Sequence, residues 1–399
     1  SIMNGGTFYD GAERIRKVPF SPVRKVMERA NELAKQGHHM VYFQIGEPDF
    51  NTPEPITEET IRALRNHMTH YAPNRGALSL RRAVAAAIAG KTGLKYDPET
   101  EILITVGGAE AINNAIMAFI NPGDEVIVFT PAFMNYANVV EMAGGVVRAI
   151  PLRKENQLQI DPGEVSRAVN DKTRMIVLNN PGNPTGVVYH QDVLRKVAAI
   201  AVERNLLVFS DEIYDEILYD DAVCVSIATF PGMRERTILM NGFSKAYAMT
   251  GWRLAYLAAD PRLLTHLLKV HQYETTCAPT FIQEGVAKAM LAPETEREKA
   301  AQLAAFTRRR RLLLEGLRAV PGLQFAEPKG AFYVLLDVSG TGLSGEVFAA
   351  RLLEEKHVAV VPGIGFAKDC VDYVRISFAV SEEDIRLGLA RIGEFVDSL

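Results

Sequence analysis

Between about residues 100 and 260 the chain repeats one phrase: a short apolar run, a cluster of turn residues, then a helix-like stretch. The runs are EILITV (101–106), EVIVFT (125–130), VVRAIPL (146–152), RMIVLNN (174–180), NLLVFSD (205–211), RTILMN (236–241) and LAYLAA (254–259). They are continuous and rich in Val, Ile and Leu rather than alternating, which predicts strands covered on both faces. AEAINNAIMAFI and HQDVLRKVAAIAVERN, between them, read as helices. Strands alternating with helices predict a mainly parallel, wound α/β sheet.

The flanks follow another rhythm. SPVRKVMERANELAKQG near the start reads as one helix, and a long charged helix is predicted near 294–318. After it, GAFYVLLDVS, EVFAARLLEEK, VAVVPG, YVRISFAV and SEEDIRLGLARIGEFV alternate strand and helix patterns. The expected organisation is a large α/β domain over 46–290 and a smaller α+β domain built from 1–45, with its N-terminal arm, and 291–399.

Composition narrows the function classes. Apolar residues are 48% and charged residues 23% of 399, an ordinary balance for a folded globular chain. A net charge of −4 exerts no global pull on nucleic acid or anionic membrane. No stretch reaches the ~18 consecutive apolar residues of a membrane span, and SIMNGGTFYDGAERIRK lacks a secretion-signal pattern. Cys224, Cys277 and Cys370 are scattered, with no CxxC pair, as expected of thiols in a reducing compartment. The expected location is the cytoplasm.

In open α/β sheets, ligands bind beyond the carboxyl ends of the strands. Here those ends lead to Gly107-Gly108-Ala109, to Phe133, to NNPGNPTG (179–186), to SDEIYDE (210–216) and to GFSKAYAMTGWR (242–253). Each has an ordinary reading: a tight turn, a rigid Pro/Gly loop, a helix cap at Asp211, a lysine at 245 snorkelling to solvent. Yet glycines before a helix also cradle phosphate on free N–H groups. A lysine at a buried strand end is costly unless its amine is used. All of them at successive strand ends converge on one rim.

This set resembles the class I/II aminotransferases that use pyridoxal 5′-phosphate (PLP), the fold type I group, over nearly the whole chain. The resemblance implies that Lys245 forms the Schiff base with the cofactor aldehyde and then moves protons. It implies that Asp211 pairs with the pyridine nitrogen, so that the ring acts as an electron sink. Asn183 and Tyr214 would bond the ring hydroxyl oxygen, Phe133 would stack on the ring, and Ser244, Arg253 and the Gly108–Ala109 backbone would hold the phosphate. Tyr71, in HYAPNRG, would reach the cofactor phosphate of a second subunit, implying a homodimer with shared sites. Gly46, Asn183 and Arg375, the last in YVRISFAV, would bind the substrate.

The implied reaction is ping-pong amino transfer between an aspartate-like or aromatic amino acid and a 2-oxo acid, with 2-oxoglutarate the acceptor. No metal, nucleic acid or membrane partner is implied. A PLP-dependent β-lyase or oxidase shares the site and stays open as an alternative. So does a PLP-binding sensor domain, although only about 45 residues precede GEPDF.

Two departures from the family pattern stand out. Gly242 replaces a serine of many relatives, which removes one phosphate hydroxyl. Ala109 replaces a lysine that reads the distal carboxylate in some aspartate-specific relatives. His67 and His70 lack an evident third ligand for a metal, and the run Arg308–Arg311 reads as a solvated helix face.

Overall fold

The computed structural model of the chain describes residues 7–399; the first six residues of the expected smaller domain lie outside the described residues. Strand β1 (Val41–Tyr42) comes first. Then follow β2 (Ile102–Thr105), β3 (Glu125–Thr130), β4 (Val146–Pro151), β5 (Thr173–Asn179), β6 (Leu207–Asp211), β7 (Thr237–Gly242) and β8 (Ala255–Ala258). These last seven form one sheet in the order β2-β8-β7-β6-β5-β3-β4.

All neighbours from β4 through β7 are parallel, while β8 runs antiparallel to both β7 and β2. β2, β7 and β8 are buried at every position, as their unbroken apolar sequences require. β4 departs from expectation: it is mostly exposed, because it lies at the sheet edge and one flank has no neighbouring strand.

β9 (Gln324–Phe325), β10 (Tyr333–Asp337), β12 (Val361–Pro362) and β13 (Tyr373–Ser377) form a second sheet, antiparallel and ordered β12-β13-β10-β9. β11 (Val358–Ala359) pairs in parallel with β1. That pairing ties the first segment of the chain to the last and delivers residues 43–50 to the rim of the large sheet.

The long charged helix spans Pro293–Arg318. The arginine run on it is not a solvated face. Arg308 and Arg311 are exposed, but Arg309 and Arg310 are buried. Arg310 donates to the Pro328 carbonyl and to Glu327, and Arg309 to Asp49. The helix is enclosed on that side, so two of the four guanidinium groups are buried against protein partners, while exposed Arg308 pairs with Glu382 at the surface.

Candidate active site

Sheet direction assembles the rim. β2, β3, β5, β6 and β7 point the same way, so the residues that follow them emerge together. β8 runs in reverse, so Arg253, two residues before it, starts at the same rim beside the end of β2, where Thr105 pairs with Ala255.

Gly107 opens the helix Gly107–Phe119 with φ +75°, a left-handed conformation that suits glycine. A Cβ there would lie 2.3 Å from Arg253 Nη2, so only glycine lets the guanidinium reach this helix N-terminus. Glu110 accepts the Val106 N–H at 3.0 Å and faces His271 Nδ1 at 3.0 Å, which fastens the first turn. Free N–H groups at the start of this 13-residue helix, the exposed Arg253 and the nearby Ser244 make an anion cradle.

At the end of β6, Asp211 is 4% exposed and accepts the Tyr136 hydroxyl at 2.5 Å and the Ile213 N–H at 3.2 Å. Burial pushes its carboxyl up to about 6, against the pull of those two hydrogen bonds. A carboxylate this poorly solvated favours a cationic partner. Tyr136 was missed in the sequence; its one signal is its place one helical turn after Phe133, whose ring meets it edge-on at 5.8 Å.

Lys245 is half-buried, and its Nζ donates to the Gly46 carbonyl at 2.5 Å. Burial lowers its pKa to about 8, and Arg375 and Arg253 push the same way. A neutral amine is therefore accessible near neutrality, which an unperturbed lysine does not offer.

Arg375, on β13, is 2% exposed. It donates to Asn183 Oδ1 at 2.9 Å and to the Gln44 carbonyl at 2.8 Å, while its Nε is buried without a partner. Its guanidinium carbon lies 4.3 Å from the centre of the Tyr333 ring. Tyr333 in turn shares a 3.0 Å hydrogen bond with the Tyr214 hydroxyl. Tyr333 was also missed. Its signal is the strand register: Leu335 opposes Arg375, and Tyr333 sits diagonally on the same face. Asn183 is aimed by its neighbour Asn179, whose Oδ1 accepts the Asn183 N–H at 2.8 Å.

The fold thus brings Gly46, Lys245, Asn183, Tyr214 and Arg375 together. Hydrogen bonds join Lys245 to Gly46, and Arg375 to Asn183 and Gln44. The Tyr333 ring lies against Arg375 and its hydroxyl bonds Tyr214, while Tyr136 bonds Asp211 and meets Phe133 edge-on. Ala109 is exposed on the first helical turn beside Gly108. Tyr71 is not drawn in: it is 86% exposed. Gly242 lies inside β7, where a Cβ would come within 2.8 Å of Ala255 Cβ, so close strand packing holds this position to glycine.

The donor set fits PLP: an anion cradle for its phosphate, a buried acid for its ring nitrogen, and an amine of lowered pKa for its aldehyde. Arg375 is a buried guanidinium whose two hydrogen bonds go to neutral oxygens, so its charge is suited to a carboxylate.

The sequence model of aminotransferase class I and II matches residues 38–392. An aspartate aminotransferase of Pyrococcus abyssi is 39% identical over 381 residues, 96% of this chain and 97% of that protein. Aromatic-amino-acid aminotransferase 2 of Thermococcus litoralis is 39% identical, with 96% and 97% coverage. The structure of an aspartate aminotransferase from Thermus thermophilus with maleate superposes at a TM-score of 0.91 and 39% identity, over 96% of this chain and 98% of that one.

Proposed function

The chain belongs to the class I and II aminotransferase family, and from that premise we propose that it transfers the α-amino group of an amino acid to a 2-oxo acid, using PLP held at the rim of the large sheet. One observation carries the reading: an amine with its pKa lowered to about 8, Lys245, and a buried arginine, Arg375, are held side by side on carbonyls two residues apart, those of Gly46 and Gln44. When bound, the cofactor supplies an electron-withdrawing ring that stabilises negative charge on the substrate Cα.

The protein does the rest. Arg253, Ser244 and the N–H groups of Gly108 and Ala109 bind the phosphate. Asp211 would keep a proton on the ring nitrogen, and Tyr136 holds Asp211 in place. Asn183 has its amide oxygen occupied by Arg375, so its NH2 is the end left to face the ring hydroxyl oxygen, together with Tyr214. Phe133 would cover one ring face. Arg375 and the Gly46 backbone take the α-carboxylate, which places the Cα–H toward Lys245. Nζ of Lys245 would accept that proton and hand it on, the proton shuttle that amino transfer needs before water frees the 2-oxo acid.

The side chain taken is aspartate-like or aromatic, as in the named relatives, with 2-oxoglutarate as acceptor. Tyr71 reaches the cofactor phosphate of a second copy, which makes the working unit a homodimer. Residues 46–290 carry the cofactor, and 1–45 with 291–399 form the smaller domain that brings Arg375. The free thiols Cys224, Cys277 and Cys370 fit the reducing cytoplasm.

The test is a half-reaction. Holoenzyme and one amino acid, with no acceptor, should release one equivalent of 2-oxo acid per site and then stop until a second oxo acid is added. Continuous ammonia or peroxide release without an acceptor would replace the reading with a lyase or an oxidase. Mass in solution near twice 44.0 kDa checks the dimer.

A further inference from the structure

The segment from Gln44 to Asp49 crosses the site as a strap with no regular structure of its own. Its carbonyls hold both working cations: Gln44 C=O accepts from Arg375 at 2.8 Å and Gly46 C=O from Lys245 at 2.5 Å. Glu47 accepts the Thr250 hydroxyl at 2.6 Å. At the far end, Asp49 accepts two parallel bonds from Arg309, at 2.7 and 3.0 Å. Paired bonds of this kind fix orientation as well as distance.

Arg309 is unusually well placed for that task. Only 9% exposed, it lies over the Phe50 and Phe306 rings, at 5.1 and 5.8 Å from their centres. Gln302, Phe306 and Arg309 are spaced i, i+4 and i+7 along the helix Pro293–Arg318, which puts them on one face. Gln302 donates to the carbonyl of Lys245 itself at 3.1 Å, and Phe306 stacks on Phe332, next to Tyr333. A single helix face therefore braces both the lysine backbone and the strap.

We infer that the Asp49–Arg309 pair is a positioning latch for substrate carboxylate binding, setting the strap so that the Gly46 backbone and Arg375 present one carboxylate site. The inference rests on the assignment of Arg375 to the α-carboxylate. Neither latch residue touches the reacting atoms, so releasing it should weaken binding of the carboxylate far more than it slows proton transfer at Lys245.

The decisive variant is Asp49→Asn, which keeps the shape and removes the charge. Three readouts are taken: KM and kcat for an amino acid, the Kd of its α-methyl analogue (which has no Cα proton to lose) by calorimetry, and hydrogen exchange of residues 44–49 in cofactor-free protein. The expected result is a rise of about tenfold or more in both KM and Kd, kcat within about threefold, and faster exchange along the strap. Arg309→Lys, which keeps the charge but loses the fork, should fall between wild type and Asp49→Asn. The double variant should be no worse than the worse single change, as for two residues acting through one contact.

KM and Kd within twofold of wild type, with only the melting temperature lowered, would make the pair merely structural and overturn the inference. A fall in kcat with KM unchanged would also overturn it. If wild-type protein fails to transaminate at all, the proposed reaction falls, while the Kd and exchange measurements still judge the latch.

Discussion

Arg375 and Asn183, 192 positions apart in the chain, are joined by a 2.9 Å hydrogen bond from Nη1 to Oδ1. The bond links the two sheets across the site and occupies the amide oxygen of the asparagine. It also leaves the guanidinium with a buried, unpartnered Nε and no carboxylate among the described residues. Removing the arginine should therefore be felt mainly by a substrate carboxylate. Arg375→Lys is expected to lower kcat/KM by two to three orders of magnitude, equivalent to about 3–4 kcal/mol. The loss should appear largely in KM. Steady-state kinetics against a primary amine without a carboxylate should show a much smaller ratio between the two proteins.

Lys245 predicts a pH profile. With its pKa lowered to about 8 by burial and by Arg375, it is an ammonium below that pH and a nucleophilic amine above it. Capture of the cofactor by cofactor-free protein, followed by absorbance, should accelerate as pH rises through about 8 and level off beyond. Lys245→Ala should bind the cofactor without covalent attachment and show no turnover.

Asp211 trades stability for function. Its carboxyl is raised by burial from its ordinary 3.8 to about 6, so the folded cofactor-free protein holds this proton more tightly than the unfolded chain does. That contribution is complete below about pH 4 and is lost as pH rises through about 6. Above that, the buried charge costs on the order of 3 kcal/mol. Cofactor-free Asp211→Asn should thus match wild type near pH 4 and exceed it by up to that amount at pH 7.5, read by urea unfolding. Its catalytic activity should fall at least a thousandfold, because an amide cannot keep the ring nitrogen protonated.

Gly107 admits no side chain. Alanine there would set a Cβ 2.3 Å from Arg253 Nη2 at a φ of +75°. Strain of about 1 kcal/mol is the smaller effect; displacement of the arginine from the helix N-terminus is the larger. Gly107→Ala should weaken cofactor retention by more than tenfold in equilibrium dialysis. Ala109→Gly, two residues on in the same turn and exposed, keeps its backbone N–H and should leave it nearly unchanged.

Much of this protein is written locally. Unbroken Val/Ile/Leu runs announce strands buried on both faces, and glycines, prolines and polar residues after each run mark where those strands stop. Because a wound sheet gathers its strand ends, Gly108, Phe133, Asn183, Asp211 and Lys245 could be assigned to one rim from the sequence alone. β4 misled, since an apolar run carries no mark of whether a strand will lie at an edge. Arg309 misled too: beside Arg308, Arg310 and Arg311 it looks like solvated charge, and only the neighbouring Phe50, Phe306 and Asp49 make it a buried contact.

What the sequence by itself determined is the set of chemical groups and their order along the strands, because secondary structure and turn chemistry depend on near neighbours. Tertiary structure alone decided which groups meet. The reversal of β8 sets Arg253 against Gly107, the register of β10 on β13 lays Tyr333 against Arg375, and the β1–β11 pairing carries Gly46 over Lys245. Each of these contacts joins segments separated by at least about 40 residues of chain, and packing, rather than local preference, selects among such pairings.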